Sequence, residues 1–426
     1  MKKILLSAAL AAFCGIIFSQ NCGAPSTGFT PINDLETGTF TNAWNTVWTG
    51  GLYPNGSNIM PSAHKNAGMQ LANQIQCLDT NGNPDVVNGK EVWLSIGMSN
   101  TTLETQQFIP GANAFPTKNP KLVLVDGAVF GQSASRISAP WSPSYMTYWN
   151  TVGSRLTVAG VSSKQVQVIW FKEADQATNY TSIQPYYDSL VVMFTRCMHE
   201  IKTRFPNVKI CYMASRISAR YATSPLNPEP YSYYTGWAAK KIIENQINND
   251  PTLQYSGPNA NSPWLSWGIY MWSDGSTPQQ TNPNVFWVCP ADFNVNDGTH
   301  PSVTGAQKVA NLLLNFFTTD STATPWFLGN GCSLTSAEET VNRNSTSAFI
   351  YPNPFSNSAI VKIITQEKIE NAELKIYDIL GNEVMSVSNI NSSEIKIERT
   401  NLNSGIYFCK ITLANNFSVT KKIIIN

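Results

Sequence analysis

The sequence predicts an α/β protein, a parallel sheet with helices on both faces, followed by a small carboxyl-terminal β-sandwich. Three observations predict it. The chain has 426 residues, too many for one average domain. Between Glu91 and Phe317, short apolar runs rich in β-branched and aromatic residues alternate with stretches of helical periodicity, the pattern of strand–helix–strand units joined by right-handed crossovers. From Ala348 onward that alternation gives way to short strands of period two separated by turn signals, with no helical stretch.

In chain order, the first segment, "MKKILLSAALAAFCGIIFSQ", has two lysines, an apolar core and a small polar end, the layout of a secretory signal peptide cleaved after Gln20. Residues 21–90 read as loop-rich with some β character, and His64 within them as a surface residue. The runs "EVWLSIG", "KLVLVDG", "VQVIWF", "VKICYMA" and "WGIYMW" each read as a buried strand. Ahead of the fourth, Tyr187, Leu190, Val191, Phe194, Met198 and Ile201 recur at helical spacing. Past His300, Ala306, Val309, Leu313 and Phe316 form the stripe of a last helix that packs on the sheet. Ser, Thr, Asn and Gly then dominate, which marks a linker. The expected organisation is a signal peptide at 1–20, an α/β domain at 21–328, a linker at 329–347 and the β-sandwich at 348–426.

Net charge is +1 and only 13% of residues are charged, against roughly 25% in ordinary soluble domains. With no basic stripe, nucleic-acid binding is excluded. No run after the signal is long and apolar enough to predict a transmembrane segment. Of eight cysteines, Cys14 leaves with the signal and an odd set remains. Cys197 and Cys211 read as buried free thiols. Were a carboxyl-terminal piece carrying Cys409 removed as well, six would be left, enough for full pairing.

The chemistry concentrates in "DGTHPS". Asp297 and His300 lie three apart in a loop, an arrangement in which a carboxylate orients an imidazole that takes a proton from a serine. Active sites of parallel sheets form beyond the carboxyl ends of the strands. The first strand ends in "SIGMSN", which puts Ser99 on that rim, with Gly97 allowing a tight bend. Alone, Ser99 would read as a helix cap; with "DGTHP" downstream it reads as a nucleophile. Backbone N–H groups of Ser99 and of Gly127 or Gly131 are candidate oxyanion donors. Ser133 in "GQSAS" is a competing nucleophile that lacks the final glycine of the elbow motif. His199-Glu200 has no second histidine one turn on, and no cysteine or histidine spacing suits a metal. No phosphate-cradling or dinucleotide-binding glycine motif is present, so no cofactor is expected. Glu173 and Asp175 are too close in one loop to flank a glycosidic bond.

In order and content, residues Glu91 to Phe317 resemble the SGNH (GDSL-like) hydrolase superfamily, on the side that includes carbohydrate and sialate O-acetylesterases. The resemblance implies a three-layer α/β/α, flavodoxin-like fold and a serine esterase without metal or cofactor. It carries the nucleophile onto Ser99 in "GMSN", the acid and base onto Asp297 and His300, and the second-block glycine onto Gly127 or Gly131. Met98 stands where the family has an aspartate. In the third block Lys172 occupies the place of an amide donor, and an ammonium is a flexible point charge where a fixed dipole is expected. Glu173, Arg216, Trp267 and Trp272 are the candidate substrate contacts, the two tryptophans from the cluster "SPWLSWGIYMWSDG", at least half of whose indoles read as core packing, and acylated carbohydrate is the implied substrate. The alternative is a non-catalytic glycan-binding module on the same scaffold, with Lys172 as the mark of lost hydrolysis; a lipid esterase is a third option. The carboxyl-terminal motifs "YPNPF", "LKIYDILGNEV", "LNSGIYF" and "KKIIIN" resemble the type IX secretion sorting domain. They imply recognition by that export machinery and a secreted or outer-membrane-surface destination.

Overall fold

Every residue of Glu91–Gly97 and of Val166–Lys172 is buried. Strands of this kind persist only inside a sheet covered on both faces, which fixes a layered architecture. The computed structural model describes residues 20–176, 180–329, 332, 347–351, 353–364, 368–379, 381–400, 402–413 and 418–426. Residues 1–19, which hold Cys14 and all but the last residue of the expected export signal, and most of the expected linker fall outside the described residues. The chain divides into two compact units, Met1–Leu334 and Thr335–Asn426.

The first unit opens with α1 (Ile32–Leu35), a hairpin of β1 (Thr39–Thr41) and β2 (Val47–Thr49), and α2 (Ser62–Asn73). Then follow β3 (Glu91–Gly97), α3 (Ser99–Asn113), β4 (Leu122–Asp126), α4 (Ala134–Ile137), α5 (Tyr145–Val158), β5 (Val166–Lys172), α6 (Ile183–Arg204), β6 (Ile210–Ala214), α7 (Tyr231–Ile247), β7 (Trp264–Ile269), α8 (Val303–Thr319) and α9 (Thr324–Phe327). The five strands β3 to β7 pair in parallel in the order β4-β3-β5-β6-β7. The order reverses between β3 and β5, the switch point beside which doubly wound sheets bind ligands.

Side chains alternate across the sheet into two cores. Val92, Leu94 and Ile96 of β3 pack with Tyr148, Leu190 and Tyr233 from α5, α6 and α7. Trp93 points the other way and joins Phe108 of α3 with Leu313 and Phe317 of α8. Ser302 caps α8 by accepting the Gly305 N–H at 3.1 Å, as serine does before a helix.

The fifth strand sits three residues earlier than "WGIYMW" predicts. Trp264 pairs with Ile210, and the chain leaves the sheet after Ile269 because Ser215 Oγ accepts the N–H groups of Met271 and Trp272 at 2.7 and 3.1 Å. His64 also departs from its expected surface position. It is buried, stacked on Trp264, with Nε2 2.8 Å from the Leu265 carbonyl oxygen. Cys22 is disulfide-bonded to Cys289 and Cys77 to Cys332, while Cys197, Cys211 and Cys409 are free and buried.

In the second unit β8 (Ser347–Tyr351), β9 (Ser358–Ile364) and β12 (Glu394–Glu398) form one antiparallel sheet. Strands β10 (Ala372–Tyr377), β11 (Glu383–Ile390), β13 (Gly405–Thr412) and β14 (Ser418–Ile425) form another. Val361, Leu374, Ile376, Ile411 and Ile423 share one core. Among the described residues no helix is long and apolar enough to cross a membrane.

Candidate active site

β3 ends at Gly97 and α3 begins at Ser99. The turn is tight enough that a Cβ on Gly97 would lie 2.3 Å from Thr101 Oγ1 and 2.4 Å from the Lys172 carbonyl oxygen, so only glycine fits. Thr101 Oγ1 donates to the Lys172 carbonyl and Thr102 Oγ1 to that of Ala128, both at 2.6 Å. These bonds fasten the helix start to β5 and to the loop after β4. Ser99 is thereby held at a helix N-terminus, over the point where strand order reverses.

The "DGTHP" loop is fixed with equal care. Gly298 has φ 61° and a Cβ there would fall 2.0 Å from the Tyr221 carbonyl oxygen. Thr223 N–H donates to the Asp297 carbonyl at 2.9 Å, and Asn294 N–H to that of His300 at 2.8 Å. Asp297 Oδ1 accepts the N–H groups of Thr299 and His300 at 2.8 and 3.0 Å. Its Oδ2 is 2.7 Å from His300 Nδ1, and His300 Nε2 is 2.7 Å from Ser99 Oγ. A carboxylate on Nδ1 makes that nitrogen the donor and leaves Nε2 free to accept the serine proton. Burial pushes the Asp297 carboxyl up, but the hydrogen bonds from the His300 ring and the two backbone N–H groups outweigh it and hold the group below the usual range.

Ser99 and His300 open onto a cavity of about 210 Å³, with Met98, Phe130 and Leu226 as its apolar wall and Gly131, Gln176 and Arg216 among its polar lining. The N–H groups of Ser99 and Gly131 make no hydrogen bond among the described residues. The remaining expected site residues are placed elsewhere. The Gly127 N–H already donates to Ser95 Oγ at 3.1 Å, so it is not available to an oxyanion. Lys172 turns away from the cavity and forms a fully buried ion pair with Glu104 of α3. Burial pulls its ammonium down to about 8, against the attraction of Glu104. Glu173 folds back onto the Ala174 N–H at 3.1 Å, and burial drives its carboxyl far above the usual range. Trp267 and Trp272 are core residues whose indoles donate to the Leu52 carbonyl and to Glu229 Oε1, each at 2.8 Å, so neither offers a ring face to a sugar. Of the four candidate substrate contacts only Arg216 lines the cavity.

Ser133 has no histidine beside it; its hydroxyl donates to Asp175 Oδ1 at 2.7 Å. Among the described residues no group of three potential ligands could hold a metal. Sequence reasoning missed Gln176, Asn100 and Asn227. An amide just past the end of β5 was a readable signal for Gln176, and adjacency to Ser99 in "GMSN" was one for Asn100, which donates to the Thr299 carbonyl at 3.2 Å, whereas Asn227 reaches the site through tertiary packing alone.

Residues 349–426 match the secretion system C-terminal sorting domain. The second unit is a type IX sorting domain. The sorting domain directs the chain to the cell surface or to the medium and is the part that the secretion machinery recognises. No curated protein matches the sequence. Among solved structures, latent PorU from Porphyromonas gingivalis is 26% identical over 19% of this chain and 9% of its own, with a TM-score of 0.16. A Bacteroides fragilis protein described as a candidate acylhydrolase is 12% identical over 60% of this chain and 97% of its own (TM-score 0.31). A gut microbial diltiazem-metabolizing enzyme is 12% identical over 74% of this chain and 65% of its own (TM-score 0.32).

Proposed function

We propose that the α/β domain, residues 21–328, is an exported serine esterase of SGNH type that removes O-acetyl or other short acyl groups from carbohydrate. The observation that carries this reading is the continuous chain from Ser99 Oγ through His300 to Asp297, with both links at 2.7 Å. Ser99 Oγ attacks the acyl carbon as its proton passes to His300 Nε2, and Asp297 stabilises the resulting imidazolium. The tetrahedral oxyanion is met by the N–H groups of Ser99 and Gly131, and the Gln176 amide takes the role that the resemblance gave to Lys172. Collapse expels the alcohol, which leaves with the proton from His300. Water, deprotonated by the same nitrogen, then cleaves the acyl-enzyme and releases the carboxylic acid. A small cavity suits a short acyl group with the sugar outside it, and delivery beyond the cell suits a polymeric glycan.

The test compares the exported chain with its Ser99→Ala and His300→Ala variants on p-nitrophenyl acetate and acetylated xylan. Each substitution is expected to lower kcat/KM by about 10³-fold or more. Equal rates in the three proteins would refute the assignment.

A further inference from the structure

The cavity wall carries a charge that the hydrolysis proposed above does not use. Arg216, just past β6, is 3% exposed. Its Nη2 reaches the Thr299 carbonyl oxygen at 3.5 Å, the limit of a hydrogen bond, its Nε has no partner, and its Nη1 bonds to nothing among the described residues. No carboxylate there lies within ion-pair distance of it. Glu104 is taken by Lys172 and Asp297 by His300, while Glu229 is engaged by the Ala219 N–H and the Trp272 indole, both at 2.8 Å. Glu173 accepts the Ala174 N–H at 3.1 Å, and Asp175, which also lines the cavity, accepts the hydroxyls of Ser133 and Tyr180 at 2.7 and 2.8 Å. Burial lowers the guanidinium pKa from its ordinary value, yet arginine keeps its proton inside proteins. The carboxylates of Glu104, Glu229 and Asp297 attract the guanidinium from beyond ion-pair distance, but a buried cation with no ion pair of its own is costly, and an anion that docks on it recovers part of that cost.

Two anions could meet it, the oxyanion and a charged group of the substrate. The oxyanion donors, Ser99 and Gly131, come from the start of α3 and the loop after β4, whereas Arg216 follows β6, two strands from β3 on the opposite side from β4. It leans toward the His300 loop through Thr299. The anion it awaits therefore belongs to the substrate. At about 210 Å³ the cavity is smaller than the roughly 300–1,000 Å³ that drug-sized ligands occupy, so the part of the ester that enters is the acyl part.

We infer that the site takes acyl groups that end in a carboxylate, the half-esters of short dicarboxylic acids, with Arg216 as the fork that binds the free carboxylate. Met98, Phe130 and Leu226 give the same cavity an apolar wall, which suits the methylenes that separate the ester from that carboxylate. The inference rests on Ser99 as the nucleophile.

The test measures full-length protein on p-nitrophenyl hemisuccinate and p-nitrophenyl butyrate, with Arg216→Gln and Arg216→Lys alongside, and succinate and butyrate binding to Ser99→Ala by calorimetry. The hemisuccinate is expected to lead in kcat/KM by about ten- to a hundredfold, the range of a charge-assisted hydrogen bond. Arg216→Gln should lose at least tenfold more on the hemisuccinate than on the butyrate, and Arg216→Lys should retain part of the preference. Succinate alone should bind Ser99→Ala. Equal turnover of both esters by the parent protein, with no succinate binding, overturns the inference and leaves the esterase standing. Succinate binding without turnover of either ester supports the anion site and sinks the esterase instead.

Discussion

Asp297 holds its loop together and, in the proposed mechanism, also serves the chemistry. Its Oδ1 accepts two backbone N–H groups and its Oδ2 meets the His300 ring, so the same carboxylate shapes the loop and sets the imidazole tautomer. Because its pKa lies below the ordinary 3.8, these bonds are fully present above that pH and are lost only as pH falls through the depressed value. Changing pH from 8 to 5 leaves the carboxylate charged. Asp297→Asn should keep the fold but present His300 in the wrong tautomer, lowering kcat on p-nitrophenyl acetate by about 10²–10⁴-fold, with far-ultraviolet circular dichroism unchanged. An undiminished kcat would show that the contact is structural only. The contact between Asp297 and His300 was legible in the sequence because they are neighbours in one loop. The choice between Gly127 and Gly131 was not, because Ser95 Oγ on a different segment decides whose N–H stays free.

At the scale of elements, β5 explains why the third block misled the sequence reading. Trp170 and Lys172 are both fully buried, and Lys172 pairs with Glu104 across the β5–α3 contact and not with the cavity. The pair is a property of packing, since Glu104 lies in a helix and nothing local marks it as a partner. Removing one member of a buried pair strands the other, at a cost of about 3–5 kcal/mol, whereas replacing both with apolar residues of similar volume is close to neutral. Lys172→Met alone should therefore lower stability by that amount in urea denaturation. The double variant Lys172→Met, Glu104→Leu should regain most of it and keep esterase activity. Loss of activity in a stable double variant would return Lys172 to the oxyanion hole. Helices α6 and α8 were legible from their apolar stripes. The start of β7 was not, because an apolar run from Pro263 to Trp272 offers several registers and the hydroxyl of Ser215 selects one.

For the whole molecule, the carboxyl-terminal unit was readable because its address lies in ordered local motifs, "YPNPF" through "KKIIIN", each a turn or a strand in its own right. The α/β unit was readable as a class, since runs buried on both faces leave few alternatives to a covered parallel sheet. What no local pattern contained was convergence, the folding path that brings position 99 to within 2.7 Å of position 300 at the sheet edge. The most direct test of that convergence is covalent. Full-length protein treated with an alkyl fluorophosphonate should gain one adduct by intact mass spectrometry, mapped by peptide sequencing to Ser99 and absent from Ser99→Ala and His300→Ala. An adduct on another residue, or none on folded protein, would contradict the account.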